Sequence, residues 1–563
     1  MDSTITPEKL RKDIIGGDVL FETPFGQRNL FYADYTASGR GLYSIEKTLL
    51  DIQKSYANTH TEDDYTGQYL TRLLHQAEHR IKELVNAGPD GKLFSIGSGS
   101  TGALKKLQEI IGVSIPPVTR ERVSRICSAF SGKNGCLSDE SKEERPVVFI
   151  GPYEHHTNEL MWRESLADVV VVDLTPNGRI NLEDLDSKLS ESRFRNRTTF
   201  ASFSAGSNIT GVRSPVYDMA RICHRHHTPI FFDFAAVAPY VEIDMNRDTD
   251  AYFDAIFFSP HKFLGGPGSS GILVLNAALY RADLPPTTAG GGTVIYVGFD
   301  NHDFEKDIET REKAGTPPIL QTIKAALVMD LKDRIGVSTI ESLEKRHLSD
   351  FLKGLSLIPN VQLIGPYFDD DHTPIVSFNI AHRDRILHPR FVTRLLNDLF
   401  GIQSRAGCSC AGPYGHLLLG IDPDTSAEFR KLILDDLHGI KPGWVRINIH
   451  YTFTPEDIDF LLRAIAFVAE KGPLFLPLYT FELSTAEWRH RHQKDHIPRF
   501  SSSSSFAPFT IDPEEIPAHR KLCLKEADRL AEELRTNVQP DYKVDAPELE
   551  KLKFFYYVSS AAD

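Results

Sequence analysis

A lysine follows an apolar, aromatic-rich run in FFSPHKFLGGPGSSGILVL, residues 257–275. The run reads as a buried strand ending at Ser259, with His261 and Lys262 next and glycines at 265, 266 and 268. A lysine just past a buried parallel strand lies where ligand crevices form in α/β proteins. Partly desolvated there, its amine can form a Schiff base with a carbonyl compound; the plain alternative is one more surface lysine. Asp233 interrupts another apolar strand, PIFFDF. A carboxylate in that setting needs a cation or full hydrogen bonding. A protonated pyridine nitrogen is one such cation, and the pairing turns the ring into an electron sink.

Residues 97–102 read GSGSTG, between an apolar run and a helical pattern. The letters satisfy G-x-G-x-x-G. Residues 115–125, however, offer neither the second strand nor the acidic residue that dinucleotide binding requires. What survives is a turn from Gly99 into a helix, with N–H groups and the hydroxyls of Ser100 and Thr101 available to an anion such as phosphate; an ordinary helix cap is the alternative. The loop GIQSRAGCSCAGPYGH (401–416) carries Arg405, Cys408 and Cys410. Its C-x-C spacing is neither a C-x-x-C redox pair nor a four-ligand metal motif. It reads as a nucleophilic thiolate favoured by Arg405, or else as two unreactive loop thiols. His155 and His156 lack the Cys/His spacing of a metal site, and no metal is expected.

Seven short apolar runs supply the frame: 92–96, 146–151, 168–174, 198–204, 229–234, 254–259 and 271–276. They lack strict polar alternation, as strands covered on both faces do. Helical patterns lie between several of them, which argues for a mainly parallel sheet between helix layers. From about residue 316 the texture changes to a mixed pattern extending to about 480. Four segments are therefore expected: an N-terminal piece (1–27) packing on a smaller domain, a large domain (28–315), that smaller α+β domain (316–480), and an extension (481–563). The stretch 111–145 reads as a polar, irregular surface insertion. RFSSSSSFAP (499–508) is a low-complexity break, followed by a helix and a short apolar strand.

In order and spacing, these pieces resemble the class V aminotransferase/cysteine desulfurase group of fold-type I pyridoxal-phosphate (PLP) enzymes, over roughly residues 28–470. The resemblance implies an α/β large domain with a mainly parallel seven-stranded sheet, a smaller α+β domain, and PLP held by Lys262. Ser259, His261, Ser100 and Thr101 then match phosphate ligands, Asp233 the ring-nitrogen partner, and His155 the histidine stacked on the ring. Asn208 matches the asparagine beside the phenolic oxygen. Thr316 matches a threonine reaching the neighbouring subunit, which implies a homodimer with shared sites. Arg446 matches the substrate-carboxylate arginine and Arg405 a second one, a task suited to a guanidinium fork. YADYTASGR (32–40) and YANTH, with His60, resemble the opening active-site segments. Cys410 takes the position of the persulfide-forming cysteine, and Cys408 is an adjacent extra thiol. One departure stands out: the glutamine or histidine usual three residues after the aspartate is Ala236 here.

Composition excludes other classes. Acidic residues outnumber basic ones, 77 to 63, for a net charge of −14, which argues against a nucleic-acid binder. No apolar run is long enough to span a membrane. The first residues lack a secretory h-region, and six cysteines in 563 residues do not make a disulfide scaffold. The expectation is a cytoplasmic enzyme acting on a small amino acid, cysteine or a cysteine derivative, by desulfuration or C–S elimination, with a sulfur-acceptor protein as a partner of the former. Aminotransferase or epimerase chemistry, and a cofactor-free binding scaffold, are the alternatives.

Overall fold

All seven apolar runs form strands of one sheet. The strands are β1 (Gly91–Ile96), β2 (Val147–Ile150), β3 (Asp168–Val171), β4 (Thr199–Ser204), β5 (Ile230–Asp233), β6 (Ala255–Phe258) and β7 (Gly271–Asn276). This computed structural model describes residues 5–59, 63–131, 144–368, 370–493, 508–535, 541 and 547–558. The spatial order is β1-β7-β6-β5-β4-β2-β3. Strands β3, β2, β4, β5 and β6 run parallel, and β7 runs antiparallel between β6 and β1. The mainly parallel sheet thus has one reversed strand, and the carboxyl ends of β1, β2, β4, β5 and β6 share one edge. Residues of β2, β5 and β6 are fully buried, which is why their sequences are continuous apolar runs. Trp162, Phe231, Phe257 and Leu273 anchor the core on one face, each burial favouring folding by about 1.5–3 kcal/mol.

The chain divides into two compact units: residues 38–207 with 212–339, and residues 1–37 with 208–211 and 340–563. These limits differ from those the sequence suggested. Two helices explain part of the shift. Helix α1 (Tyr65–Leu84) starts on Asp64, which accepts from the Gly67 N–H. Arg80 on it pairs with Asp330 and Asp333 of the helix Ile319–Ile335, at 2.9 and 2.8 Å. That later helix therefore belongs with the seven-stranded sheet instead of opening the second domain. The helix α2 (Ser100–Ile110) follows β1 directly. The stretch expected to be irregular contains α3 (Pro117–Ser131), with proline at its first position and an Arg125–Glu121 ion pair one turn apart. Residues 132–143 lie outside the described residues. The helix α4 (His156–Arg163) follows β2.

The second unit has its own sheet. Its strands are β8 (Val361–Leu363), β9 (Ile375–His382), β10 (Arg385–Leu387), β12 (Arg405–Gly407), β13 (Trp444–Asn448) and β16 (Phe555–Tyr556). The order is β12-β13-β9-β10-β16, with β8 also on β9. Helix α5 (Pro389–Phe400) has proline first and stops at Gly401, in the left-handed region at φ +73°. It leads to β11 (Ile402–Gln403), which pairs with Phe31–Tyr32. Beyond residue 478 come the hairpin β14 (Tyr479–Glu482) and β15 (Glu487–His490), the expected helix Ile516–Leu534, and β16. Within residues 1–27, Arg11 Nη1 donates to the Thr452 carbonyl at 3.1 Å. Most of the Ser-rich segment lies outside the described residues. Among the described cysteines, 223, 408, 410 and 523 are free and Cys127 is disulfide-bonded. No described helix is long and apolar enough to cross a membrane.

Candidate active site

In the seven-stranded unit, the candidate residues other than Thr316 lie at or just beyond strand carboxyl ends. After β1 the chain turns through Gly97, at φ +56°, and Gly99 into α2. Gly97 needs glycine for its conformation. Gly99 needs it for space: a Cβ there would stand 3.0 Å from Ser259 Oγ and 3.5 Å from His261 Nε2. The Ser100 backbone N–H donates to Ser259 Oγ at 2.8 Å. The turns after β1 and β6 therefore meet, bringing helix N-terminal amides, hydroxyls and an imidazole together. Thr101 and Thr157 hydroxyls share a 2.9 Å hydrogen bond. Thr157 in turn donates its N–H to Nδ1 of His155, the N-cap of α4, at 3.1 Å. An accepting Nδ1 leaves the proton of a neutral ring on Nε2.

Lys262 ends the short turn Pro260–Lys262 beyond β6. Gly39 presses against that turn. Its N–H donates to the His261 carbonyl at 2.9 Å, and a Cβ would fall 1.9 Å from the Phe263 carbonyl oxygen. Burial, and then the charge of Lys262, push His261 down to about 4, so it is a neutral imidazole at pH 7. Asp233 is 4% exposed and accepts one hydrogen bond, from the Ala235 N–H at 2.8 Å. Burial pushes its carboxyl up to about 6, opposed by that bond and by Lys262. Among the described residues no cation lies within ion-pair distance of Asp233.

Sequence reasoning passed over Glu154. It is 3% exposed and accepts from the Gly151 and Ser204 N–H groups, the Ser204 hydroxyl and the Asn158 amide, at 2.7–3.1 Å. Burial raises it to about 7 against these bonds, with Asp233 adding to the rise. An acidic residue beside His155 was its only sequence signal. Thr316 is exposed and accepts from Asn58 Nδ2 at 3.0 Å. Ala236 is buried.

The second unit gathers a different set. Arg446, 3% exposed, donates from Nη2 to Asp34 at 2.9 Å and from Nη1 to the Asn208 carbonyl at 3.0 Å. Arg405 Nε reaches the other oxygen of Asp34 at 3.0 Å. The arginine expected to bind the substrate carboxylate is thus already in an ion pair with Asp34. Two guanidinium groups nonetheless share one carboxylate, which leaves one net positive charge. Burial lowers the Arg446 pKa, while Asp34 and Cys410 act to keep it charged. The Asn208 amide donates to the Ser409 carbonyl at 2.6 Å and so holds the cysteine loop. Ser409 and Cys410 are consecutive left-handed residues, at φ +50° and +58°, and neither is glycine. Such conformations cost about 1–3 kcal/mol and cluster at functional loops. Cys410 is exposed and Cys408 half-buried. His60 lies outside the described residues. No described cluster of three or more His, Cys, Asp or Glu could hold a metal.

Residues 134–461 match the sequence profile of the family Aminotransferase class-V. That span is more than half of the chain. The protein belongs to this family. The matched span of this class-V chain contains His155, Asp233, Lys262, Cys410 and Arg446; Asp34 and the Gly99–Thr101 turn precede it. The chain is similar to a probable cysteine desulfurase of Halalkalibacterium halodurans, 27% identical over 423 residues, 73% of this chain and 90% of that protein. A second relative, from Streptomyces coelicolor and also called a probable cysteine desulfurase, is 25% identical over 428 residues, covering 75% and 92%. The fold is shared with an apo cysteine desulfurase of Thermococcus onnurineus NA1 (TM-score 0.63, 22% identity, 84% of this chain, 100% of that one). It is also shared with the cysteine desulfurase CsdA of Escherichia coli in its S-sulfonic acid form (0.59, 19%, 83% and 99%).

Proposed function

We propose that this class-V chain is a PLP enzyme taking sulfur from cysteine or a cysteine derivative. The names of its relatives, matched over most of their length, support the substrate class. Its own residues fit the cofactor. A phosphorylated pyridine aldehyde asks for an amine, an anion cradle and a carboxylate for its ring nitrogen. Lys262 is the amine. The Ser100 amide, Ser259, neutral His261 and the bare backbone of Gly99 are the cradle. Asp233 is the carboxylate, and it carries the reading: it is buried with one side-chain hydrogen bond and, among the described residues, no cation within ion-pair distance, a costly state that a pyridinium would relieve.

When bound, the cofactor supplies an electron sink for charge developing at the substrate Cα. Lys262 Nζ moves the Cα proton, and Asp233 keeps the ring nitrogen protonated. The net positive charge of Arg405 and Arg446 meets the substrate carboxylate. The Cys410 thiolate then attacks the substrate sulfur; an S–S bond forms, the C–S bond breaks, alanine leaves, and the sulfur stays on Cys410. An exposed loop thiol is suited to handing sulfur to an acceptor protein. A homodimer completes the proposal, supported by exposed Thr316 and by the hairpin 294–304, whose Ile295, Tyr296, Val297 and Phe299 are at least 58% exposed.

The buried Ala236, which offers no donor where the family usually has one, favours elimination as the second reading; that reaction releases pyruvate, ammonia and sulfide without Cys410. Incubating the holoenzyme with cysteine and assaying alanine and pyruvate separates them. Alanine with a persulfide that Cys410→Ser abolishes is expected. Pyruvate formation untouched by that substitution would replace desulfuration by elimination.

A further inference from the structure

The proposed chemistry leaves unused a buried acid that stands beside it. Glu154 lies between β2 and α4. Its Oε1 accepts from the Gly151 and Ser204 N–H groups at 3.1 and 2.9 Å, and its Oε2 from the Ser204 hydroxyl and the Asn158 amide, each at 2.7 Å. Four donors favour the ionised form, yet among the described residues no cation pairs with it. Burying a carboxylate without a cation is costly, and a turn can be held without one.

Strand register sets the face that Glu154 occupies. Ser204, the last residue of β4, is the ladder partner of Asp233, the last residue of β5. Ladder partners project on the same face of a sheet, one strand spacing of about 4.8 Å apart. Two residues back, Ser202 is the partner of Phe231. The Ser202 hydroxyl and the Trp162 indole N–H both donate to Asn158 Oδ1, at 2.6 and 3.0 Å, and the Trp162 ring stacks on Phe231 with centroids 6.5 Å apart. Helix α4 therefore covers the face that carries Asp233, and the Ser204 hydroxyl brings the Glu154 carboxylate onto it. Two acids share one buried face. Burial raises both, and Asp233 raises Glu154 further; Lys262 is the cation that acts on Asp233. A second anion strengthens the hold of the first on a proton, including one shared with a bound base.

We propose that Glu154 is a positioning residue: acting through Asp233, its negative charge tightens the hold on the proton that Asp233 and the cofactor's ring nitrogen share. This inference rests on the PLP reading of the same site. The test compares the affinity of the full-length apoprotein for PLP and for 1-deaza-PLP, which keeps the aldehyde and phosphate but has carbon in place of the ring nitrogen. Tryptophan-fluorescence quenching is followed at pH 8, above the value of about 7 for Glu154. The preference for PLP over 1-deaza-PLP should fall by about 10-fold in Glu154→Gln, the scale of one unit charge acting over roughly two strand spacings at an effective dielectric of ~20. Glu154→Asp keeps the charge and should hold the preference within ~3-fold of wild type. Glu154→Ala should show the same fall as Glu154→Gln, and replaces it if the glutamine protein does not fold. A role limited to holding the turn would weaken both aldehydes alike and leave the preference unchanged, which would overturn the assignment. So would a preference lost in Glu154→Asp as fully as in Glu154→Gln. A wild type that binds neither aldehyde would sink the PLP reading, and this inference with it.

Discussion

The two units present their reactive groups in opposite ways. In the seven-stranded unit, Lys262, His261 and Asp233 follow strand ends, and the pKa shifts of the latter two come first from burial. The turn that bears Lys262 and His261 is held by close contact with Gly39. In the second unit, Cys410 stands exposed on a loop with consecutive left-handed residues, held by a hydrogen bond from the Asn208 side-chain amide to the Ser409 carbonyl. Buried strand ends set protonation states and hold a ligand in one pose. A surface loop gives up that control and gains reach. In the proposed function the contrast divides the labour: one unit activates, the other carries.

Lys262→Ala tests the first half most severely: cysteine turnover should fall by about 10³-fold or more, with loss of visible cofactor absorbance. Unchanged turnover would break the comparison at its base. Cys410→Ser should lower alanine formation by roughly 10²-fold while shifting unfolding free energy by less than about 0.5 kcal/mol, since the position is exposed. Glu154→Ala should do the reverse of that stability result. It strands four buried donors, and urea titration should show a loss of roughly 3 kcal/mol.

The smallest effect is in pH. Asp233 in the folded, cofactor-free protein has its pKa raised from 3.8 to about 6. A raised acid contributes stability that is fully present below pH ~4 and is lost as pH rises through about 6, an effect of up to 2–3 kcal/mol, about the size of that shift. Asp233→Asn should flatten this slope between pH 4 and about 6 in thermal melts of the apoprotein; an identical slope in both proteins would remove the buried acid as its cause.

Much of this was legible in the sequence, for a physical reason. Strands buried on both faces must be apolar throughout, so the seven runs stood out, and Asp233 stood out by breaking one. Lys262 was marked by its place after such a run. The resemblance supplied the joint assignment. Asp34 could not be read, because its partners Arg405 and Arg446 are 371 and 412 residues away. Glu154 was hidden because its donors come from β4, α4 and its own turn, a meeting only the fold creates. The insertion helix and the boundary near 316 were misread because local polarity said little of packing; the Arg80 ion pairs, and not the change of texture, decide where the helix 319–335 belongs.

The last strand of the chain has a practical consequence. Phe555 and Tyr556 of β16 pair in parallel with Ile386 and Leu387, and so cover the outer rim of the second sheet. Trimming the protein to the length of its shorter relatives would uncap β10 and offer its free backbone groups to any passing chain. Such a shortened version would be recovered as clumped material, however sound its catalytic parts.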